Sequence, residues 1–384
     1  MFVLRIAIIN LTGGGISGGY KKYLKNILPR MSRHHEVESI LCASPKSLDV
    51  SSWFEGLNNV IFVDCKPFNI FGKKDSYLVR RLDEFHPDVI FIPTERGFQY
   101  RQVPTVCMLQ NMLPMAKIKH YNMHEKIRKN IQKIIARKAL KEAQRVIAIS
   151  GFVKNFIQSE WQIPEDKISI IYHGVSLPQD KELIIPAAVP VQWEGKFIFT
   201  AGSIEPYRGL EDIIFALKRL RQDKRDIKVL VAGTSPPSMM SYYKKLQGVV
   251  DQLGLQENIC WAGMLNEQEM AWCYNNAQAY IMSSRVEACP NTALEAMLYG
   301  NIIISSAEPP MPEFFGKYAM YYEVGDIEKL ADYMFDAVHF PSTQRDSLSQ
   351  AVKRRALDFS WEDTVSKTMI EFKIATLVPV NRHF

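Results

Sequence analysis

The sequence predicts an α/β protein made of two doubly wound, parallel-sheet domains, and three observations carry that prediction. First, 384 residues exceed what a single hydrophobic core usually organises. A content of 47% hydrophobic and 23% charged residues supplies two cores and excludes disordered, collagenous and coiled-coil chains. Second, short β-branched runs alternate with longer segments of helical period, as expected of β-α units around parallel sheets. Third, the alternation halts at a stretch from Pro178 to Trp193 that contains Pro186 and Pro190 and has no periodicity, then restarts.

In chain order, the first-half strands are expected at Arg5–Asn10, Ser39–Ala43, Val60–Asp64, Asp88–Pro93, Thr105–Leu109, Arg145–Ser150 and Ile168–Tyr172. Each is a short apolar run, rich in Val or Ile, bounded by polar or turn-forming residues. After the linker, strands are expected at Lys196–Ala201, Lys228–Ala232, Asn258–Ala262, Gln278–Ser283 and Asn301–Ser305, with helices such as Leu210–Leu220 and Glu328–Val338 between them. The domains are therefore placed at 1–180 and 190–360. In such folds ligands bind at the carboxyl ends of the strands, so the loops there are the first candidates for a site.

Composition removes several function classes. The six cysteines form no C-x-x-C pair and no His cluster has zinc-ligand spacing, which argues against a disulfide framework or structural zinc. The first apolar run is too short for a signal peptide, and nothing approaches the ~20 apolar residues that span a bilayer, so a cytoplasmic location is expected. Residues 1–185 hold 27 Lys and Arg against 17 Asp and Glu, whereas the remainder is mildly acidic. An anionic surface or partner is thus expected for the first half only.

Within that half, residues 117–145 carry ten Lys and Arg and only Glu125 and Glu142. Ile127, Ile131, Ile134, Ile135 and Ala139 recur at helical spacing, giving a cationic amphipathic helix. It either packs on its own sheet with a solvated basic face or adsorbs to an anionic membrane, with Tyr121 and Met123 dipping into the interface. Nucleic acid is disfavoured, because no aromatic stacking platform accompanies the charge.

The strongest local signal runs from Ser284 to Gly300, after the strand at Gln278–Ser283. Pro290 fits the first helical position, which places Glu287 in the loop ahead of the helix and Glu295 in its second turn. Free N–H groups at the helix start suit a phosphate, and the two carboxylates suit vicinal hydroxyls. A sugar joined to a ribose through a diphosphate presents that combination. Near the amino terminus, Gly13-x-Gly15-x-x-Gly18 matches a dinucleotide fingerprint by spacing, but no acid closes the second strand, so NAD is not expected.

Taken together, Glu287-x7-Glu295 with Pro290, Leu294-Glu-Ala-Met297 and Gly300 resembles the donor-binding signature of the retaining family-4 glycosyltransferases of GT-B fold. Phe199–Gly209, Leu230–Pro236 and Asn258–Gly263 resemble further donor-side segments of that family, and Val146–Ser150 through Val175 its approach to the linker. The resemblance implies a catalytic role for Glu287, on the donor sugar's hydroxyls, and for Arg208, on the diphosphate. It implies donor binding by Glu295 on the ribose, by the turns at Gly202, Gly233 and Gly263, and by the backbone of Asn291, Thr292 and Ala293. It places Gly14, Gly15, Gln110 and Asn111 on the acceptor side or in a phosphate loop, and returns 361–384 to the first domain.

The implied reaction moves a hexose from a nucleotide-diphosphate sugar to a saccharide or lipid-linked acceptor in cell-surface polysaccharide assembly, such as lipopolysaccharide. No cofactor or metal is expected: no Asp-x-Asp occurs, and Arg208 with the helix start would replace the cation. The sequence departs from the family at Ser203 and Ser235, and at Gln110-Asn111, which can hydrogen-bond a hydroxyl but not act as a base. Those departures keep open a degenerate nucleotide-sugar-binding partner subunit, and the fold keeps open an epimerase or a phosphorylase.

Overall fold

The computed structural model describes residues 3–12, 18–67, 75–116, 121, 123–176 and 182–380. The chain divides into two compact units. The first comprises Met1–Met115, Met123–Gly174 and Ser360–Phe384, and the second comprises Ala116–Asn122 and Val175–Phe359.

In the first unit, β1 (Leu4–Ile9), β2 (Val37–Pro45), β3 (Val60–Cys65), β4 (Val89–Ile92), β5 (Thr105–Leu109), β6 (Arg145–Ala148) and β7 (Ile168–Ile170) form a parallel sheet in the order 3-2-1-4-5-6-7. Its strands start or end within a few residues of the expected runs because near-continuous Val, Ile and Leu can only be buried on both faces. Helices α1 (Gly18–Ser32), α2 (Ser76–Phe85), α3 (Met123–Glu142) and α4 (Gly151–Trp161) connect them. Ser150 caps α4 by accepting the Val153 N–H, and Asp75 caps α2 through the Tyr77 N–H.

The second unit contains β8 (Ile198–Ala201), α5 (Leu210–Gln222), β9 (Val229–Ala232), α6 (Met240–Gln252), β10 (Ile259–Gly263), α7 (Glu267–Asn276), β11 (Ala279–Met282), α8 (Asn291–Tyr299), β12 (Ile302–Ser306), α9 (Met311–Phe315), β13 (Ala319–Tyr322), α10 (Ile327–His339) and α11 (Ser342–Ala356). Its parallel sheet runs 10-9-8-11-12-13. Ile198, Val229, Val231, Ile281 and Ile304 pack beneath Leu217, Leu330 and Met334. The strand β13 was not anticipated, since Ala-Met-Tyr-Tyr carries no β-branched residue. Most of the expected linker also belongs to this unit: Val189 and Trp193 are buried, because an apolar residue between prolines can still fill a core edge.

The last helix, α12 (Trp361–Leu377), lies on the first unit against α1, β4, β5 and β6. Glu371 is buried on it and accepts from Arg145 Nε at 2.6 Å and Ser169 Oγ at 2.7 Å, fastening the helix to β6 and β7. His173 stacks between Tyr23 and Trp361, with centroid distances of 4.8 and 5.8 Å, which is a packing role. A Cβ on Gly174 would lie 2.2 Å from the Trp361 nitrogen, so only glycine admits the chain so close to the start of α12.

The face of α3 differs from the expected one. Ala136, Ala139 and Leu140 are buried, whereas Ile127, Ile131 and Ile134 are exposed by 53%, 42% and 68%. Small side chains let the helix lie close to β5, and that turns the larger isoleucines outward. Tyr121 is buried as well, so it is not available to an interface.

Candidate nucleotide-sugar site

In an open parallel sheet, two strands leave a crevice where the strand order reverses. In the second unit that point lies between β8 and β11. The loop after β8 carries Gly202 to Gly209, and the loop after β11 carries Ser283 to Pro290, so the residues picked out by motif come together at this crevice.

The two loops are fastened before any ligand arrives. Ser283 Oγ donates to the Arg208 carbonyl at 2.6 Å, and the Arg285 N–H to the Tyr207 carbonyl at 2.7 Å. Arg285 also donates to the Pro206 carbonyl at 3.0 Å and pairs with buried Asp212 at 3.0 Å. A side chain on Gly209 would meet the Ser283 carbonyl at 2.3 Å, and its φ of 64° favours glycine. Arg285 is thus a positioning residue that motif reading passed over. Its signal was a charge placed inside the Ser284–Glu287 segment.

Between these loops, Arg208 Nη1 and Glu287 Oε1 form an ion pair of 2.7 Å, with the side chains 18% and 12% exposed. Burial opposes the charge on Arg208 more than any single neighbour favours it, but Glu287 together with Tyr207 and Tyr280 more than offsets that and holds the guanidinium protonated. Burial pushes the Glu287 carboxyl above its ordinary value, against the pull of Arg208 and of the Ser284 hydroxyl. The two residues expected on different parts of a donor are therefore partners of each other here. The guanidinium lies over Gly202, where a Cβ would come within 2.7 Å of Cζ, and over the Tyr207 ring at 5.0 Å. Arg208 Nε is buried and makes no hydrogen bond.

Gly202, Gly233 and Gly263 stand side by side at the carboxyl ends of β8, β9 and β10. The Gly202 N–H reaches the Ala232 carbonyl at 3.0 Å and the Gly233 N–H the Gly263 carbonyl at 2.7 Å. A Cβ on Gly233 would sit 1.8 Å from the Gly202 oxygen, so bare backbone is a requirement at this edge. Ser203, where the family pattern expects a base, bonds the Tyr207 hydroxyl at 3.0 Å.

At the start of α8 the structure corrects two details. Pro290 is the cap rather than the first helical residue. The Asn291 and Ala293 N–H groups, expected on a phosphate, already donate to the Cys289 and Pro290 carbonyls in a tight first turn, at 2.9 and 3.0 Å. Among the described residues, the Thr292 N–H alone of these three has no acceptor. Thr292 Oγ1 accepts from the Tyr280 hydroxyl at 2.8 Å, and Glu295 accepts from the Tyr274 hydroxyl at 2.7 Å. Burial raises both tyrosines, Tyr280 to about 12 and Tyr274 further beside Glu295, so both remain donors. Neither was singled out in the sequence, where both read as core aromatics.

In the first unit, Gln110 and Asn111 follow β5. Gln110 Nε2 contacts Met108 Sδ at 3.2 Å, and Asn111 Oδ1 accepts the Leu113 N–H at 2.9 Å, which closes a turn. Beside them, Glu95 after β4 is buried, and that burial raises its carboxyl against the pull of Arg96. It was not anticipated, as a lone Glu in a loop carries no pattern. Gly14 and Gly15 lie outside the described residues. Among the described residues no group of three or more His, Cys, Asp or Glu is placed to hold a metal ion, and no helix is long and apolar enough to cross a membrane.

Comparison with known proteins identifies the family and agrees with the fold. Residues 17–179 match the model of Glycosyltransferase Family 4, and residues 184–355 that of Glycosyl transferases group 1. An uncharacterised glycosyltransferase of Methanocaldococcus jannaschii is 22% identical over 61% of this chain and 61% of its own length. The MMP alpha-(1->4)-mannosyltransferase of Mycolicibacterium hassiacum is 22% identical over 64% of this chain and 56% of its own. The alpha-monoglucosyldiacylglycerol synthase of Streptococcus pneumoniae is 23% identical over 52% and 46%. The chain thus spans about three fifths or less of the length of these relatives. Among solved structures, Anabaena HepE in complex with UDP and glucose superposes with a TM-score of 0.73 at 16% identity, covering 97% of this chain and all of that one. Sucrose-phosphate synthase of Thermosynechococcus elongatus does so with 0.74 at 15%, covering 98% and 100%. With two parallel-sheet Rossmann-like units and family models matching on both, the chain belongs to the family-4 glycosyltransferases of GT-B fold.

Proposed function

We propose that this protein is a retaining glycosyltransferase that moves a hexose from a nucleoside-diphosphate sugar to a saccharide or lipid-linked acceptor in cell-surface polysaccharide assembly. The observation that carries the reading is the Arg208–Glu287 pair at the strand-order reversal of the second sheet. An arginine fork suits a diphosphate, and a carboxylate released from it is free to accept from sugar hydroxyls. Glu295, held by Tyr274, would take the ribose, and the Thr292 N–H would add a donor at the start of α8.

In the reaction, the bond from the anomeric carbon to the diphosphate oxygen breaks on the face where the acceptor oxygen bonds. The departing diphosphate takes the acceptor's proton, so no second carboxylate need stand opposite Glu287. Arg208 would stabilise the charge that develops on the leaving group. The structure of HepE with UDP and glucose supports a donor of this class, and the alpha-monoglucosyldiacylglycerol synthase supports a lipid-borne acceptor. A nucleotide-sugar donor is consistent with a cytoplasmic location.

Three outcomes test this. In a thermal-shift panel of uridine, guanosine and adenosine diphosphates and their sugars, one base should raise the melting temperature, since ligand at about 100 times its Kd adds about 2.7 kcal/mol. Glu287→Gln should keep that shift while losing most release of nucleoside diphosphate; full turnover in the variant would remove Glu287 from the site. With Arg208 in place of a cation, EDTA should leave turnover unchanged, and loss restored by a divalent ion would overturn that assignment.

A further inference from the structure

The outward face of α3 is apolar along a line from Met123 to Ile134 and cationic along one flank and at its carboxyl end. Met123, Ile127, Ile131 and Ile134 follow one another at intervals of four, four and three, so they form one line along the helix. All four are exposed, Met123 by 71% and Ile134 by 68%, on a helix whose buried residues are Glu125, Ala136, Ala139 and Leu140. By the rotation of successive residues about the axis, Lys126 and Arg137 border that line on one side, and Lys138 and Lys141 continue it toward the carboxyl end of the helix. All are exposed. Lys126, Arg137 and Lys141 make no ion pair among the described residues, so their charge is uncompensated there.

A solvated helix face needs no row of isoleucines, and a helix packed within a core needs no lysine rim. An apolar line with free cations beside it matches a surface that is apolar below and anionic above. We propose that α3 docks this protein on an anionic lipid bilayer, with Met123, Ile127, Ile131 and Ile134 entering the acyl boundary and the lysines and arginine meeting the headgroup phosphates. The charge complementarity favours lipid over a second copy of the chain, since a like copy would set two cationic rims against each other. The proposal does not rest on the transferase reading, because its test uses no donor.

The experiment is co-sedimentation of the whole protein with vesicles of phosphatidylcholine alone and with vesicles containing phosphatidylglycerol. At low salt the anionic vesicles should bind at least about tenfold more protein, since each basic side chain at such a surface contributes roughly fivefold, and high salt should remove the difference. Lys126→Glu/Arg137→Glu/Lys141→Glu should abolish the preference. Ile127→Ser/Ile131→Ser/Ile134→Ser should weaken binding by at least about tenfold with the melting temperature unchanged, as these side chains are already in water. Equal binding to both vesicle types, or serine variants that bind like the wild type, would overturn the proposal. So would a concentration-dependent dimer that the serine variant abolishes, which would assign the face to self-association.

Discussion

Replacing Arg208 with alanine should lower turnover roughly 10²–10³-fold, the usual effect of removing one preorganised donor from developing negative charge. It should also abolish the thermal shift given by nucleoside diphosphates. The same change strips the partner from Glu287, whose side chain is only 12% exposed. Breaking a buried pair costs about 3–5 kcal/mol if the remaining group stays charged. Glu287 escapes part of that cost by taking up a proton, because burial already raises its carboxyl. A carboxyl whose folded pKa lies above its unfolded one stabilises the fold least where it must ionise. The Arg208→Ala protein should therefore lose melting temperature as pH rises from the ordinary carboxyl value, about 4.3, through neutrality. Arg208→Ala/Glu287→Gln should lose that slope and recover stability without recovering turnover. Turnover within threefold of wild type in Arg208→Ala would remove the residue from the reaction.

Trp361→Ala should destabilise the first unit by about 3–5 kcal/mol, as expected when a fully buried aromatic is cut to a methyl. Trp361 is 1% exposed and packs its ring against His173 and, with centroids 6.0 Å apart, Tyr23. It opens α12, the helix fastened to β6 and β7 by Arg145, Ser169 and Glu371. In amide exchange, protection should fall across β4, β5 and β6 while β8, β9 and β11 keep theirs, since the two units have separate cores. Uniform loss across both sheets would show instead that the units unfold as one.

The positions of most strands and of the site loops were set by the sequence alone, for a local reason. A parallel strand covered on both faces must be a short unbroken apolar run, and the loop after it must be glycine-bearing where backbone meets backbone, as at Gly202, Gly233 and Gly263. Those constraints act within a few residues and so can be read from them. What depends on distant partners could not. Strand β13 forms from Ala-Met-Tyr-Tyr because β12 offers it an edge, not because of its own propensity. Glu287 and Arg208 were each legible as ligand groups, but their mutual pair exists only because the sheet order sets β8 beside β11. The periodicity of α3 revealed a helix with an apolar stripe, yet close packing on β5 chose Ala136, Ala139 and Leu140 for the inside and left the isoleucines in water. Tertiary structure decided that face, because what a helix buries depends on how near its neighbour lies as well as on which of its residues are most apolar.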